Sequence, residues 1–410
     1  MRRGVNLQNM IGKTEALRTK SKNIIVVLLG TLIALGPFSI DMYLPAFGSV
    51  AEDFNVDISR VGLTLTSYFI GISLGQLAYG PLMDRYGRRK PLIFGLIIYI
   101  ASSLLCALSW NLDVLIVARF FMALGGCAGM VASKAMVRDL FEKEQVADVL
   151  STLMLIMGVA PIIAPTVGGI VISSLGWHSV FIILAVFAGL MLFNVTYILP
   201  ESASPNRATS LRPKAVFLEY VSILKNRDFF IFSMVRGMAM GALLSYVSSA
   251  PFVFIEYFEM SEQQFGWIFG GNAAGLILGS QMNRFALKRF SLLKITIATA
   301  VILAIITGVG LVVSSVSVQF WVVYPILFLM LFFIGFQNPN ATALSLQPFT
   351  IQAGSASALI GSLGMIFGSL ASILVTTFVT TSILPLFVIV FTSCLLSLAL
   401  IVVYKKTRHS

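Results

Sequence analysis

Residues 80–90 read GPLMDRYGRRK, and they set five charges, Asp84, Arg85, Arg88, Arg89 and Lys90, between two long apolar runs. The runs at 58–82 and 91–110 are each long enough to cross a bilayer, because a helix rising about 1.5 Å per residue needs about 20 residues for the hydrocarbon core. A short loop with four basic residues between two such spans is expected to face the cytoplasm.

Composition points the same way. The chain of 410 residues is 58% hydrophobic and 11% charged, whereas a water-soluble domain carries about 25% charged residues. Mean hydropathy is +0.93. Apolar runs cut by breakers and charges predict spans at 24–47, 58–82, 91–110, 112–137, 146–175, 177–199, 229–258, 264–283, 291–315, 318–346, 355–380 and 382–404. The expected fold class is an all-α membrane protein of twelve transmembrane helices.

Charge sets the topology. Of 28 Lys and Arg, twenty-four fall in six segments: the first 22 residues, 85–90, Arg138 with Lys143, 207–227, 284–294, and the stretch after Tyr404. The alternate loops hold Arg60 and the acids Glu52, Asp53, Asp57, Asp113, Glu259 and Glu262. Both termini are therefore expected in the cytoplasm. The net charge of +11 reads as a topology signal, and no nucleic-acid partner is expected, because the basic residues are spread over six loops. Segment 1–22 reads as a tail, since the apolar run behind it is too long for a cleaved leader. Cys106, Cys127 and Cys394 lie inside spans, and His178 and His409 have no ligand spacing around them, so no disulfide, metal or cofactor is expected.

The polar stretch 200–228 divides the chain six spans from six. It predicts a cytoplasmic tail at 1–22, helical bundles at 23–199 and 229–404, a cytoplasmic linker at 200–228 and a second tail at 405–410. The opening loop has a worn copy at 279–289, GSQMNRFALKR: Gly80, Met83, Arg85 and Arg89 meet Gly279, Met282, Arg284 and Lys288, with Asp84 opposite Asn283. Duplication into two pseudo-symmetric six-helix halves follows.

These motifs resemble the major facilitator superfamily. Its signature loop between spans two and three matches 80–90, and further matches are Arg119 in the fourth span, APIIAPTVGG at 160–169 in the fifth, Trp177-His178 before the sixth and Pro200-Glu201 after it. SIDMYLPAF at 39–47 with SAPFVFIE at 249–256 resembles the Bcr/CflA branch of drug:proton antiporters, the bicyclomycin and chloramphenicol resistance exporters. The chain departs from the pattern at Met122 and Ala123, where Gln and Gly usually follow the arginine, and at Ala164, where Gly usually precedes the proline. The resemblance implies a multi-pass protein of the bacterial inner membrane, acting as a monomer on small drug-like molecules. It would use the proton gradient and no cofactor. The fifth-span motif, Gly158, Pro161, Pro165, Gly168 and Gly169, would then lie at the interface between halves.

Several residues are candidates for chemistry. Asp41 stands inside the first span, where an ionised carboxylate costs about 3 kcal/mol or more. Pro37 and Pro45 flank it at i−4 and i+4, so the helix bends there and leaves polar groups unmet. Burial penalises the charged form and lets such a group take up and release a proton. The alternative is a helix-end residue at the outer headgroups. Arg119 enters the fourth span to a similar depth, so the two charges can meet and couple proton to cargo; the alternative is a snorkelling anchor. Phe38 and Met42 beside Asp41, with Met122 and Met130 on the Arg119 stripe, can form an adaptable apolar wall. Arg236, Asn338 and Glu256 are further cavity candidates, while Lys134 reads as a snorkelling residue. Gly80, Asp84, Arg85, Gly87, Arg88 and Arg89 form the expected gating loop, with Asp84 pairing with nearby arginines in one state.

Proton-coupled efflux by alternating access is the leading expectation, with export of an endogenous metabolite or siderophore as the alternative. A non-transporting sensor or enzyme is the reading from another class. No nucleophile elbow, histidine–carboxylate cluster or metal spacing supplies it with a site.

Overall fold

The computed structural model describes residues 4–203, 205, 213–316, 318–349, 353–379 and 382–408, and these are almost entirely helical. The central part of the expected linker and the extreme termini lie outside the described residues.

Helix α1 (Gly4–Asp41) stops at Asp41 and gives way to a 3-10 turn (Leu44–Ala46) and the short α2 (Phe47–Phe54). The cause is Pro45, which has no N–H for the Asp41 carbonyl. The span expected at 24–47, with a bend between its prolines, is broken directly after its acidic residue. Next come α3 (Ile58–Val61), α4 (Leu63–Tyr86) and α5 (Arg89–Ala107). Gly87 joins α4 to α5 at φ 84°, a backbone that favours glycine. Helix α6 (Leu112–Leu140) is capped by the Asn111 side chain, which accepts from Val114 N at 2.9 Å. Helices α7 (Lys143–Leu175) and α8 (His178–Tyr197) follow.

Within the expected polar linker the chain forms α9 (Pro213–Leu224). Its apolar side packs inward: Ile223 is fully buried against Phe229, Leu359 and Ile360. The Tyr220 hydroxyl donates to the Leu77 carbonyl at 3.3 Å, and Glu219 accepts from Ser355 at 2.6 Å. The linker is thus partly structured, and it ties α4 to the later segment that holds Ser355.

Helix α10 (Arg227–Pro251) runs into a π turn (Phe252–Tyr257), followed by α11 (Glu262–Ala286), whose start is closed by a capping box between Ser261 and Gln264. The chain ends in α12 (Leu292–Val316), α13 (Phe320–Leu346), α14 (Ala353–Phe378) and α15 (Leu384–Arg408). Among the described residues eleven helical segments are long and apolar enough to cross a membrane. Helix α11 has the length, 25 residues, but carries Asn272, Gln281, Asn283 and Arg284; with it the segments of membrane length number twelve.

Early helices pack α4 and α5 on α6, α8 on α5, and α1 on α6 and α7, while later ones pack α10 on α13, α14 and α15, α11 on α13, and α12 on α13 and α15. Two seams join the sets, α4 with α14 and α7 with α11. On the first seam Thr66 and Ser248 both bond Ser372 at 2.7 Å, and Ser73 bonds Ser362 at 2.9 Å. Large apolar side chains such as Phe94, Phe193 and Trp321 lie exposed on the outer faces, as lipid contact requires.

Candidate functional site

Asp41 is the last residue of α1 and is 5% exposed. Among the described residues its carboxylate has no hydrogen bond and no ion pair. The 3-10 turn that follows it packs on both α7 and α11, so Asp41 ends its helix beside the α7–α11 seam between the two helical sets. Tyr246 accepts from Asn272 Nδ2 at 2.8 Å and stacks on Phe269, while Asn272 Oδ1 is buried without a partner.

Arg119 is fully buried, which removes the snorkelling alternative. It does not pair with Asp41. Its Nη1 donates to the Ser39 carbonyl at 2.8 Å and approaches Met122 Sδ at 3.7 Å. The guanidinium lies 4.3 Å from the Tyr68 ring centre, 4.8 Å from Tyr43 and 5.7 Å from Phe181. Ser39 belongs to the last turn of α1, where unpaired carbonyls give the helix end a partial negative charge. Arg119 therefore caps the helix that Asp41 ends, inside an aromatic cage worth about 0.5–2 kcal/mol per favourable face. Nε and Nη2 are left without partners.

The fifth-span motif lies on α7 and meets α1 on one side and α11 on the other. A Cβ at Gly168 would collide with the Met42 carbonyl, immediately after Asp41. Gly169 faces the Glu262 backbone, and Gly158 faces Ile277. From α11, Gly266 lies against the backbone of Pro165 and Thr166. Pro161 and Pro165 sit inside the continuous α7 helix.

In the charged loop, Arg88 Nη1 pairs with Asp84 at 2.6 Å and its Nε with Asp139 at 2.9 Å. Burial opposes the Arg88 charge, but hydrogen bonds and attraction from Asp84 and Asp139 outweigh it and hold the guanidinium above its usual value. Glu201 accepts from the amides of Arg88 (2.7 Å) and Arg89 (3.1 Å), at the positive N-terminus of α5. The Arg89 guanidinium bonds the carbonyls of Val195 and Thr196. Arg85 lies over the Tyr86 ring, and Gly80 has open space around its Cα.

Beside this loop lies a cavity of about 760 Å³, between α4 and α6 on one side and α9 and α14 on the other. Met130 lines it, as do Gly80, Asp84 and Arg88. Other cavity candidates lie elsewhere. Phe38 packs on Phe187, Met42 is buried under α7, and Met122 sits under Arg119. Arg236 donates to the Ile360 carbonyl at 2.7 Å, Asn338 approaches Met240 Sδ at 3.6 Å, and Glu256 is exposed in the π turn. The sequence reading took Lys134 as a snorkelling residue, whereas it lines the cavity, and it noted Glu201 only as a match after the sixth span, with no signal that it accepts from the loop amides. In the worn copy, Asn283 and Asn340 exchange two side-chain bonds, at 2.9 and 2.8 Å.

The family model described as Major Facilitator Superfamily matches residues 28–372. The chain is 34% identical over 386 residues to a protein described as an uncharacterized MFS-type transporter, YdgK, of Bacillus subtilis, covering 92% of this chain and 94% of that one. It is 31% identical over 363 residues to the bicyclomycin resistance protein homolog of Haemophilus influenzae, covering 86% and 90%. Multidrug resistance protein D of Escherichia coli is 27% identical over 373 residues, covering 87% and 89%.

Proposed function

The chain belongs to the major facilitator superfamily, and on that premise we propose that it is a proton-driven exporter of small amphipathic compounds, antibiotics among them, across a bacterial inner membrane. One observation carries the reading: a buried carboxylate, Asp41, with neither hydrogen bond nor ion pair among the described residues, at the end of a broken helix. Such a group is stable in apolar surroundings when protonated and needs water or a partner when ionised. Its charge state thus favours different arrangements of the helices around it, which is the requirement for coupling a proton to a conformational cycle. The names of the relatives, bicyclomycin resistance and multidrug resistance proteins, support drug-like cargo.

On this reading the halves at 23–199 and 229–404 move about the α4–α14 and α7–α11 seams. Gly168 transmits movement of α7 to the backbone beside Asp41, and Arg119 holds the end of α1 throughout. The basic loops face the cytoplasm with both termini, and the cavity beside them is the entrance for cargo. The protein works as a monomer. The loop pairs of Asp84, Arg88, Asp139 and Glu201 hold α4, α5, α6 and the segment after α8 as one rigid face. Growth inhibition of a pump-deficient strain by bicyclomycin, phenicols, sulfonamides and cationic dyes tests the reading. The result expected is raised tolerance to at least one of them that a protonophore abolishes; unchanged tolerance to all four classes contradicts it.

A further inference from the structure

The cavity beside the charged loop is unevenly satisfied. Its acids are engaged: Asp84 and Asp139 share Arg88, at 2.6 and 2.9 Å, Asp139 also accepts from Ser202 at 3.0 Å, and Glu219 accepts from Ser355 at 2.6 Å. Lys134 is different. It lies half-buried on α6, one turn deeper than Arg138, and among the described residues its ammonium has neither hydrogen bond nor ion pair. No described acidic side chain lies within ion-pair distance of it, and a further cation, Arg138, follows one turn later on the same helix. An ammonium without a partner and partly withdrawn from bulk water is an unfavourable arrangement that an anion relieves.

The rest of the wall limits the anion. Pro81, Met130 and Val131 give apolar surface in the same cavity wall, and the Met130 thioether repacks readily. A volume of about 760 Å³ lies within the range of drug-sized sites. Inorganic anions would leave that surface wet and unfilled. We propose that Lys134 is the specificity-determining residue of this cavity and takes the carboxylate of an amphipathic organic acid, whose apolar body lies against Met130 and Val131. This names a cargo class for the export reading above and rests on it.

Purified full-length protein in detergent, titrated by fluorescence with dansylglycine and with its neutral partner dansylglycinamide, tests the assignment, because the two probes differ only at the carboxylate. The expected result is a preference for the acid of at least about tenfold, as a charged hydrogen bond supplies. Lys134→Met should abolish that preference while leaving the affinity for the amide in place, and Lys134→Arg should keep it. Lys134→Gln replaces the Met variant if the latter is not monodisperse. Equal affinities in the unaltered protein, a preference that survives Lys134→Met, or no binding of either probe each overturns the proposal. The titration needs no gradient and no flux, so failure of the export reading shows separately, as absent transport with the binding preference intact.

Discussion

The guanidinium of Arg119 donates to the backbone carbonyl of Ser39 at 2.8 Å, two residues before Asp41, and leaves the Asp41 carboxylate without a partner. The arginine thereby serves as a cap for the broken helix and makes no ion pair with the acid. Separation matters because a carboxylate locked to an arginine would stay ionised and could not cycle.

Arg119→Lys should therefore destabilise the protein although charge is kept. The planar guanidinium stacks on Tyr68 and Tyr43 while reaching Ser39, and an ammonium does not combine these contacts. We predict a loss of about 2 kcal/mol, seen as a lower melting temperature in detergent. An unchanged melt would remove the capping role.

Gly168→Ala places a methyl group on the Met42 carbonyl. The expected penalty is about 1–3 kcal/mol from overpacking, with export impaired more than membrane insertion. Gly189→Ala on α8, where a methyl meets nothing within 4 Å, is the control and should behave as unaltered protein. Equal behaviour of the two variants in a transport assay would show that the α1–α7 contact is not required.

Glu201→Gln weakens the acceptor held by the amides of Arg88 and Arg89. Hydrogen exchange at those two amides should speed up, while exchange in α12, remote from the loop, stays as it was. Unaltered protection at both amides would mean that the loop is held by the Asp84–Arg88–Asp139 pairs alone.

Asn283→Ala leaves the Asn340 side chain buried with no partner for the bonds it now makes. A cost of about 1–3 kcal/mol is expected, measurable by thermal melting, and Asn340→Ala should match it. Near-additive losses in the double variant would show that the two amides do not act as a pair.

Much of this was legible in the sequence, and the reasons differ by residue. Asp41 and Arg119 stood out because an apolar run makes any charge conspicuous, and Pro45 announced the break after Asp41. The charged loop was read from five charges between two spans. What Arg119 bonds was not legible, because hydropathy gives depth but not the rotation of a helix, and the aromatic cage draws on the turn after α1, on α4 and on α8. Lys134 was misread for the same reason: depth alone does not separate a side chain facing lipid from one facing a cavity. Helix α9 was hidden inside a stretch classed as linker, although AVFLEYVSIL at 215–224 carries the apolar residues that pack it. Glu201 follows a span end in which nothing local indicates that its partners are backbone amides more than a hundred residues earlier.

The central claim is that Asp41 carries the coupled proton. Inverted membrane vesicles holding an imposed pH gradient, followed with a pH-sensitive dye, report on it directly when an exported compound is added. The account predicts that the compound dissipates the gradient with the unaltered protein, and that Asp41→Asn, expressed at the same level, abolishes the dissipation. Asp41→Glu should restore part of it. Full compound-dependent proton flux through Asp41→Asn would contradict the account and move the proton to another group.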